Sequence, residues 1–188
     1  MIGSPGLPNT SGIQVLGFAQ GTVRYLPKVA GGRLTASRPS PADPAQTLTL
    51  SGSQLTGGEL LLAAGGQTYS LRVTAVGQVA SAVTPKLVLE TYQLDGATSL
   101  AGHDGEFHPV CGHPPTGAPG DGDLLGMTGA LASQAVLLEG ERIDPATQRE
   151  AAADPAWVNF GCAGSPLAAL ALTGYADGIT GAQAGAQD

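Results

Sequence analysis

The segment QTYSLRVTAVG, residues 67–77, decides the fold class because its side chains alternate in character along the chain. Side chains at every second position share one face, namely Tyr69, Leu71, Val73 and Ala75. Successive side chains of a β-strand point to opposite faces, so this period predicts a strand that buries one face. A glycine pair precedes the segment and marks a turn.

Comparable short segments lie on both sides of residues 67–77. They are TLTLSG (47–52), SQLTGGELLLAAGG (53–66), PKLVLETYQL (85–94), the second half of ALASQAVLLEG (130–140) and AWVNFGC (156–162). Several short strands separated by glycine turns are typical of a sandwich or barrel. The sequence therefore predicts a mainly β fold with a sandwich or barrel-like antiparallel sheet.

Two short helices are predicted near the end of this β-rich region. Asp144 and Pro145 suit the N-cap and first position of a helix that continues into ATQREAAA. Ser165 and Pro166 repeat the pattern, and Gly174 is placed to end the second helix.

The distribution of Gly and Pro predicts three regions. Residues 1–44 are rich in Gly, Pro and Ser, and SRPSPADP at their end reads as an extended linker. We therefore predict an extended N-terminal arm at 1–44, a β-rich domain at 45–176 and a C-terminal tail at 177–188.

The composition argues against several classes of partner. The 188 residues carry a net charge of −7, and only 12% of them are charged. The only lysines are Lys28 and Lys86, so there is no basic face for nucleic acid. No apolar run approaches the 18 residues of a membrane span. GDGDLLG (120–126) lacks the Lys-Ser/Thr of a phosphate loop, and no cofactor is predicted.

The two cysteines, Cys111 and Cys162, are the centre of any chemistry in this sequence. A thiol at Cys162 lies between a predicted strand and a predicted helix, where the helix N-terminus favours a thiolate. The available bases, His103, His108 and His113, all precede it, whereas the hydrolase fold with a comparable nucleophile turn places its histidine afterwards. A thiol-dependent hydrolase using Cys162 with a histidine from the 103–113 loop is the alternative function.

Metal binding is a second interpretation of the same loop. HDGEFHPVCGHPP holds three histidines and a cysteine, all of which are zinc ligand types. Its prolines keep the segment extended, so these side chains need not converge on one ion. We predict no metal site and keep His103, His108 and His113 as weak candidates.

A disulfide between Cys111 and Cys162 is the third interpretation, and two free, buried cysteines are the fourth. A disulfide would close a loop of about 50 residues and stabilise the fold by roughly 4 kcal/mol. It would also require an oxidising compartment. Arg72 lies beside apolar neighbours in a predicted strand, and we interpret it as satisfied at an edge or in a buried pair rather than as a substrate clamp.

Four segments, in this order and spacing, resemble the bacterial ADYC-domain proteins. They are Tyr69-Ser-Leu-Arg-Val, Glu90-Thr-Tyr92, FHPVCG (107–112) and WVNFGCAGSPLAALALTGY (157–175). The likeness covers roughly residues 50–176. The Ala-Asp-Tyr-Cys stretch that names the family is absent from this chain, and the family's Lys-Cys in the short helix is Ala-Leu here.

The resemblance implies an extracytoplasmic domain, often exported or lipid-anchored, without an assigned activity. Cys111 and Cys162 match the two recurrent cysteine positions of the family, which favours the disulfide. It also implies secretion or display on the cell surface, with a leader that is absent from this chain.

The function predicted from these observations is non-catalytic. No nucleophile–base pair, carboxylate pair or convincing ligand set is found in the sequence. We predict an extracytoplasmic or particle-associated structural or binding module, fixed by a disulfide. Its expected partners are protein subunits of an oligomer or assembly, which it engages through its termini.

Overall fold

The computed structural model describes residues 12–80, 88–98, 106–112, 133–144 and 149–162. These residues form ten strands: β1 Gln14–Gln20, β2 Val23–Ala30, β3 Arg33–Pro39, β4 Thr47–Ser51, β5 Glu59–Ala64, β6 Gln67–Ala80, β7 Val88–Thr98, β8 His108–Pro109, β9 Ala135–Asp144 and β10 Arg149–Cys162. One short 3₁₀ turn, Gly52–Leu55, follows β4.

The strands form one antiparallel sheet in the order β10-β9-β7-β6-β5-β1-β2-β3-β4, and β8 pairs with β7. The mainly β, antiparallel prediction is confirmed. β4 and β10 end the order of described strands without pairing with each other, so the sheet is not a closed barrel in the part of the chain that the structure describes.

Strand β2 bends the sheet into two layers. Its first residues pair with β1 as far as Tyr25, and its later residues pair with β3 from Leu26 onward. The β2–β4 part folds back so that β2 packs against β9 and β10. The core between the layers contains these fully or almost fully buried side chains: Val15, Phe18, Val29, Leu34, Leu60, Val73, Tyr92 and Val158.

Tight glycine turns set the register of the β-hairpins. Gly31 and Gly32 join β2 to β3 with φ of 57° and 70°. A two-residue turn with both φ values positive matches the twist of the flanking strands and is most accessible to glycine. The glycine pairs at 31–32 and 65–66 therefore mark turns inside the sheet.

The predicted N-terminal arm at 1–44 is corrected by this arrangement. β1, β2 and β3 lie inside the sheet, and β1 pairs with β5 from the middle of the predicted domain. Val15 and Phe18 are fully buried in the common core, so their hydrophobic burial holds this region in place. Residues 1–11 and the predicted tail at 177–188 lie outside the described residues.

The helix predicted after Asp144-Pro145 is also wrong in its described part. Residues 149–153 belong to β10, and their pairing with β9 begins at Arg149 opposite Asp144. Pairing along the sheet outweighs the high helix propensity of the alanines. The second predicted helix, after Ser165-Pro166, lies outside the described residues. No helix in the described ranges is long and apolar enough to cross a membrane.

Candidate functional site

A disulfide joins Cys111 to Cys162, as the sequence analysis predicted. Cys162 ends β10, and Cys111 follows β8 with 1% of its surface exposed. The two Cα atoms are 5.3 Å apart although the residues are separated by 51 positions. The bond therefore ties the 106–112 segment to β10, the strand at one end of the sheet order.

This bond removes the proposed nucleophile. Sγ of Cys162 is bonded to Cys111, and no described cysteine is free. A sulfur in a disulfide has no thiolate to attack a substrate. The hydrolase alternative therefore has no nucleophile in this form of the protein.

Among the weak metal candidates, only His108 is described, and it is exposed in β8. His103 and His113 lie outside the described residues. In the ranges that the structure covers, no three His, Cys, Asp or Glu side chains are grouped to hold a metal ion.

A buried carboxylate cluster lies on β5 and β6, where Glu59 is directly opposite Arg72. Arg72 donates from Nε and Nη2 to Oε1 of Glu59 at 3.1 and 2.8 Å. Ser70 donates to Oε2 at 2.7 Å. The guanidinium of Arg72 also lies 3.6 Å from the ring centre of Phe107, in the segment held by the disulfide. The ion-pair interpretation of Arg72 is confirmed.

A cavity of about 590 Å³ opens beside this cluster. Arg24 and Thr22 line it from the β1–β2 hairpin, and Glu59 and Arg72 line it from β5 and β6. The carboxylate and guanidinium on this wall are already bonded to each other, which leaves them poorly suited to serve as a general acid or base. The cluster is better explained as a support that holds the Phe107 segment against the sheet.

Replacement of Arg72 by leucine is expected to lower the free energy of unfolding by about 1–2 kcal/mol, because it removes two charge-assisted hydrogen bonds from a carboxylate with little exposure. The effect is smaller than for a deeply buried pair because the Arg72 side chain is 35% exposed. Urea denaturation followed by circular dichroism measures it. Arg24→Leu is the matched control, since Arg24 lines the same cavity but is exposed, and we expect a change below about 0.5 kcal/mol. Equal losses in both variants would contradict the assigned role of the cluster.

A second buried polar chain connects the two layers of the sheet. The hydroxyl of Tyr92 donates to Oε2 of Glu90 at 2.7 Å and accepts from the backbone N–H of Leu34 at 2.7 Å. The last residue of β4, Ser51, lies opposite Thr35 of β3. Leu34 is one position further along β3, so no residue of β4 lies opposite its N–H. The tyrosine hydroxyl supplies the acceptor that a strand would otherwise provide.

Burial raises the pKa of the Tyr92 hydroxyl well above its ordinary value, and its hydrogen bond to Glu90 raises this pKa further. The hydroxyl therefore stays protonated through the physiological range. It serves as a structural donor and acceptor between β3 and β7 and cannot act as a base there.

One edge of the described sheet is β4, which pairs with β3 and lies at the opposite end of the strand order from β10. One hydrogen bond shows which backbone groups of β4 point away from β3. Ser40 N–H donates to Gln46 C=O at 2.8 Å, so the backbone of Gln46 points toward β3. Backbone groups of an antiparallel strand alternate in direction, so those of Thr47 and Thr49 point away from β3. At the end of the edge, Ser51 N–H donates instead to Oε1 of Gln54 at 3.2 Å.

The side chains of β4 leave this edge accessible. TLTLS contains neither a charged residue nor proline, the two devices that commonly protect an edge strand. Leu50 packs against the core, while Leu48, on the same face of the strand, is 43% exposed. The edge therefore offers directed backbone donors and acceptors beside an apolar side chain.

Comparisons of the chain with protein-family models, curated proteins and solved structures find no match. The fold and these sites define the chain as a disulfide-linked, antiparallel β protein.

Sequence reasoning identified the disulfide and the ion-pair role of Arg72, but it missed Glu59, the Tyr92 chain and the β4 edge. TLTLS carries neither the charged residues nor the proline that commonly mark an edge strand, so the sequence held no signal for its position at the edge.

Proposed function

We propose that this chain is a non-catalytic binding module that recognises an extended protein segment by strand addition at β4. The observation that carries the proposal is the row of outward backbone groups on an uncharged, proline-free edge strand. A peptide that lies along such an edge gains main-chain hydrogen bonds, and its alternate side chains contact the adjoining face. We expected this chain to engage protein subunits through its termini, and we now propose β4 as the site of engagement instead.

A catalytic role has less support from the described residues. Both sulfurs are in the disulfide, Glu59 is bonded to Arg72 and Ser70, and the Tyr92 hydroxyl is used between Leu34 and Glu90. These groups are occupied by contacts within the fold, which suits a rigid framework that presents an edge.

An extracytoplasmic location belongs to the same proposal. Disulfides form and persist in oxidising compartments, and the Cys111–Cys162 bond is consistent with secretion or display at the cell surface. Membership of the ADYC-domain family is likewise a proposal, supported by the positions of the two cysteines.

A short peptide tests the edge directly. The probe is a ten-residue peptide of alternating threonine and valine with lysine at both ends, added to ¹⁵N-labelled protein. We expect the largest amide shift changes at Thr47 and Thr49, with a Kd on the order of 0.1–1 mM because few residues are buried.

A matched pair of variants provides the control. Thr49→Pro removes an outward N–H without removing a bond to β3, whereas Thr49→Val keeps the N–H and the branched side chain. The peptide should bind the valine variant normally and the proline variant at least about tenfold more weakly. Shift changes that avoid β4, or equal binding by both variants, would refute strand addition.

A further inference from the structure

The sequence of β4 reads almost the same in both directions about its central residue. Thr47-Leu-Thr-Leu-Ser51 has leucine on each side of Thr49 and a hydroxyl residue at each end. An antiparallel pair centred on the same residue in two chains places each position opposite its mirror position. Such a strand is complementary to a second copy of itself, which is the requirement for a two-fold interface.

We infer that the occupant of this edge is a second copy of the chain, which pairs β4 with β4 about a two-fold axis through Thr49. The inference rests on the proposed strand addition at the same edge and names its partner.

The directions of the backbone groups fit this register. Thr49 points both its N–H and its C=O outward, so the two copies of Thr49 exchange a pair of hydrogen bonds. In this register Thr47 N–H donates to the carbonyl of Ser51 in the second copy. By symmetry, Thr47 N–H of the second copy donates to the carbonyl of Ser51 in the first. Ser51 N–H keeps its bond to Gln54, so the 3₁₀ turn after β4 need not open.

The leucines are also complementary in this register. Leu48 of one copy lies opposite Leu50 of the other, and the pair occurs twice because of the symmetry. Leu48 is 43% exposed in the single chain, whereas Leu50 already packs against the core. Pairing therefore covers an exposed apolar side chain and extends the apolar face across the interface.

Charge does not oppose this association, although the whole chain carries −7. β4 has no charged side chain, and the next positions place Gln46 opposite Gly52. No like charges are brought together along the paired strands, so the affinity should change little with salt.

The expected dimer is weak because only five residues on each side form the ladder. Such an interface falls below the roughly 1,200 Å² that stable complexes bury, and we expect a Kd between about 10 µM and 1 mM. A local excess of chains, as on a surface or in an assembly, would populate it.

Analytical ultracentrifugation from about 10 µM to about 2 mM tests the association. We expect reversible dimerisation of the native chain and of Thr49→Val, and at least a tenfold weaker dimer for Thr49→Pro. The dispersion of the amide spectrum shows that each variant remains folded. A chain that stays monomeric at 2 mM, or a proline variant that dimerises as well as the native chain, overturns the inference.

Mixed labelling tests the register. In a sample of ¹³C-labelled and unlabelled chains, the two-fold pairing predicts an intermolecular contact between the Hα atoms of Leu48 and Leu50, which lie close across a non-hydrogen-bonded pair. A dimer without this contact has a different interface. Binding of the threonine–valine peptide by a monomeric chain would leave the strand-addition function standing and remove only the second copy as its partner.

Discussion

Loss of the Cys111–Cys162 disulfide is expected to lower the free energy of unfolding by about 4 kcal/mol. The bond joins residues 51 positions apart. It therefore restricts the conformational entropy of the unfolded chain and so stabilises the folded state relative to it. The double variant Cys111→Ala/Cys162→Ala is preferable to serine, because a serine at position 111 would bury a hydroxyl.

Urea denaturation of the native protein, the double variant and the reduced native protein measures this loss. Reductant should not change the stability of the double variant, which controls for effects on other groups. The loss should also loosen the 106–112 segment, seen as faster amide exchange at Val110, whose N–H donates to Leu94 C=O at 2.8 Å. A loss below about 1 kcal/mol would show that the segment is held mainly by its other contacts.

Replacement of Tyr92 by phenylalanine is expected to cost about 2–3 kcal/mol at pH 7. The change removes the acceptor of a buried N–H at Leu34 and the donor to Glu90, and each buried group left without its partner is costly. Tyr69→Phe is the matched control, since the Tyr69 hydroxyl bonds to Gln67 at the surface, and it should cost less than about 0.5 kcal/mol.

The same residue predicts a loss of stability at alkaline pH. The folded pKa of Tyr92 is raised above the value of 10.0 expected without the fold. Above pH 10 the unfolded chain releases this proton while the folded chain retains it, so stability falls by up to about 1.4 kcal/mol per pH unit. Below pH 10 the contribution is fully present.

Denaturation curves between pH 7 and 11 test this prediction. The stability of Tyr92→Phe should fall less steeply above pH 10 than that of the native protein, so the two curves converge as the pH rises. Curves that stay parallel up to pH 11 would mean that Tyr92 releases its proton equally easily in both states.

The strands could be predicted because alternating hydrophobicity depends only on residues that are close together in the sequence. The alternation in residues 67–77 reports a strand whichever strands lie beside it. The pairing of Glu59 with Arg72 could also have been predicted. The Gly65-Gly66 turn sets Ala64 opposite Gln67, and counting outward along both strands reaches Glu59 and Arg72.

Contacts between the layers could not be predicted in the same way. The hydroxyl of Tyr92 meets Leu34, 58 residues earlier, only because β2 bends the sheet back on itself. No local signal marks that bend as different from an ordinary turn. The same limit explains the misplaced N-terminal arm, since Gly and Pro punctuate hairpins and linkers alike.

The packing of β2 against β10 has a consequence for the synthesis of the chain. A ribosome delivers the N-terminal strands first, yet the surface that covers them is contributed by residues near position 158, so the apolar faces of β1–β3 stay open until most of the chain has emerged. Closure over such a long separation is slow. Cys162 is synthesised four residues after Val158. Formation of its disulfide with Cys111 would therefore fix the last described strand in place only after the rest of the sheet has been made.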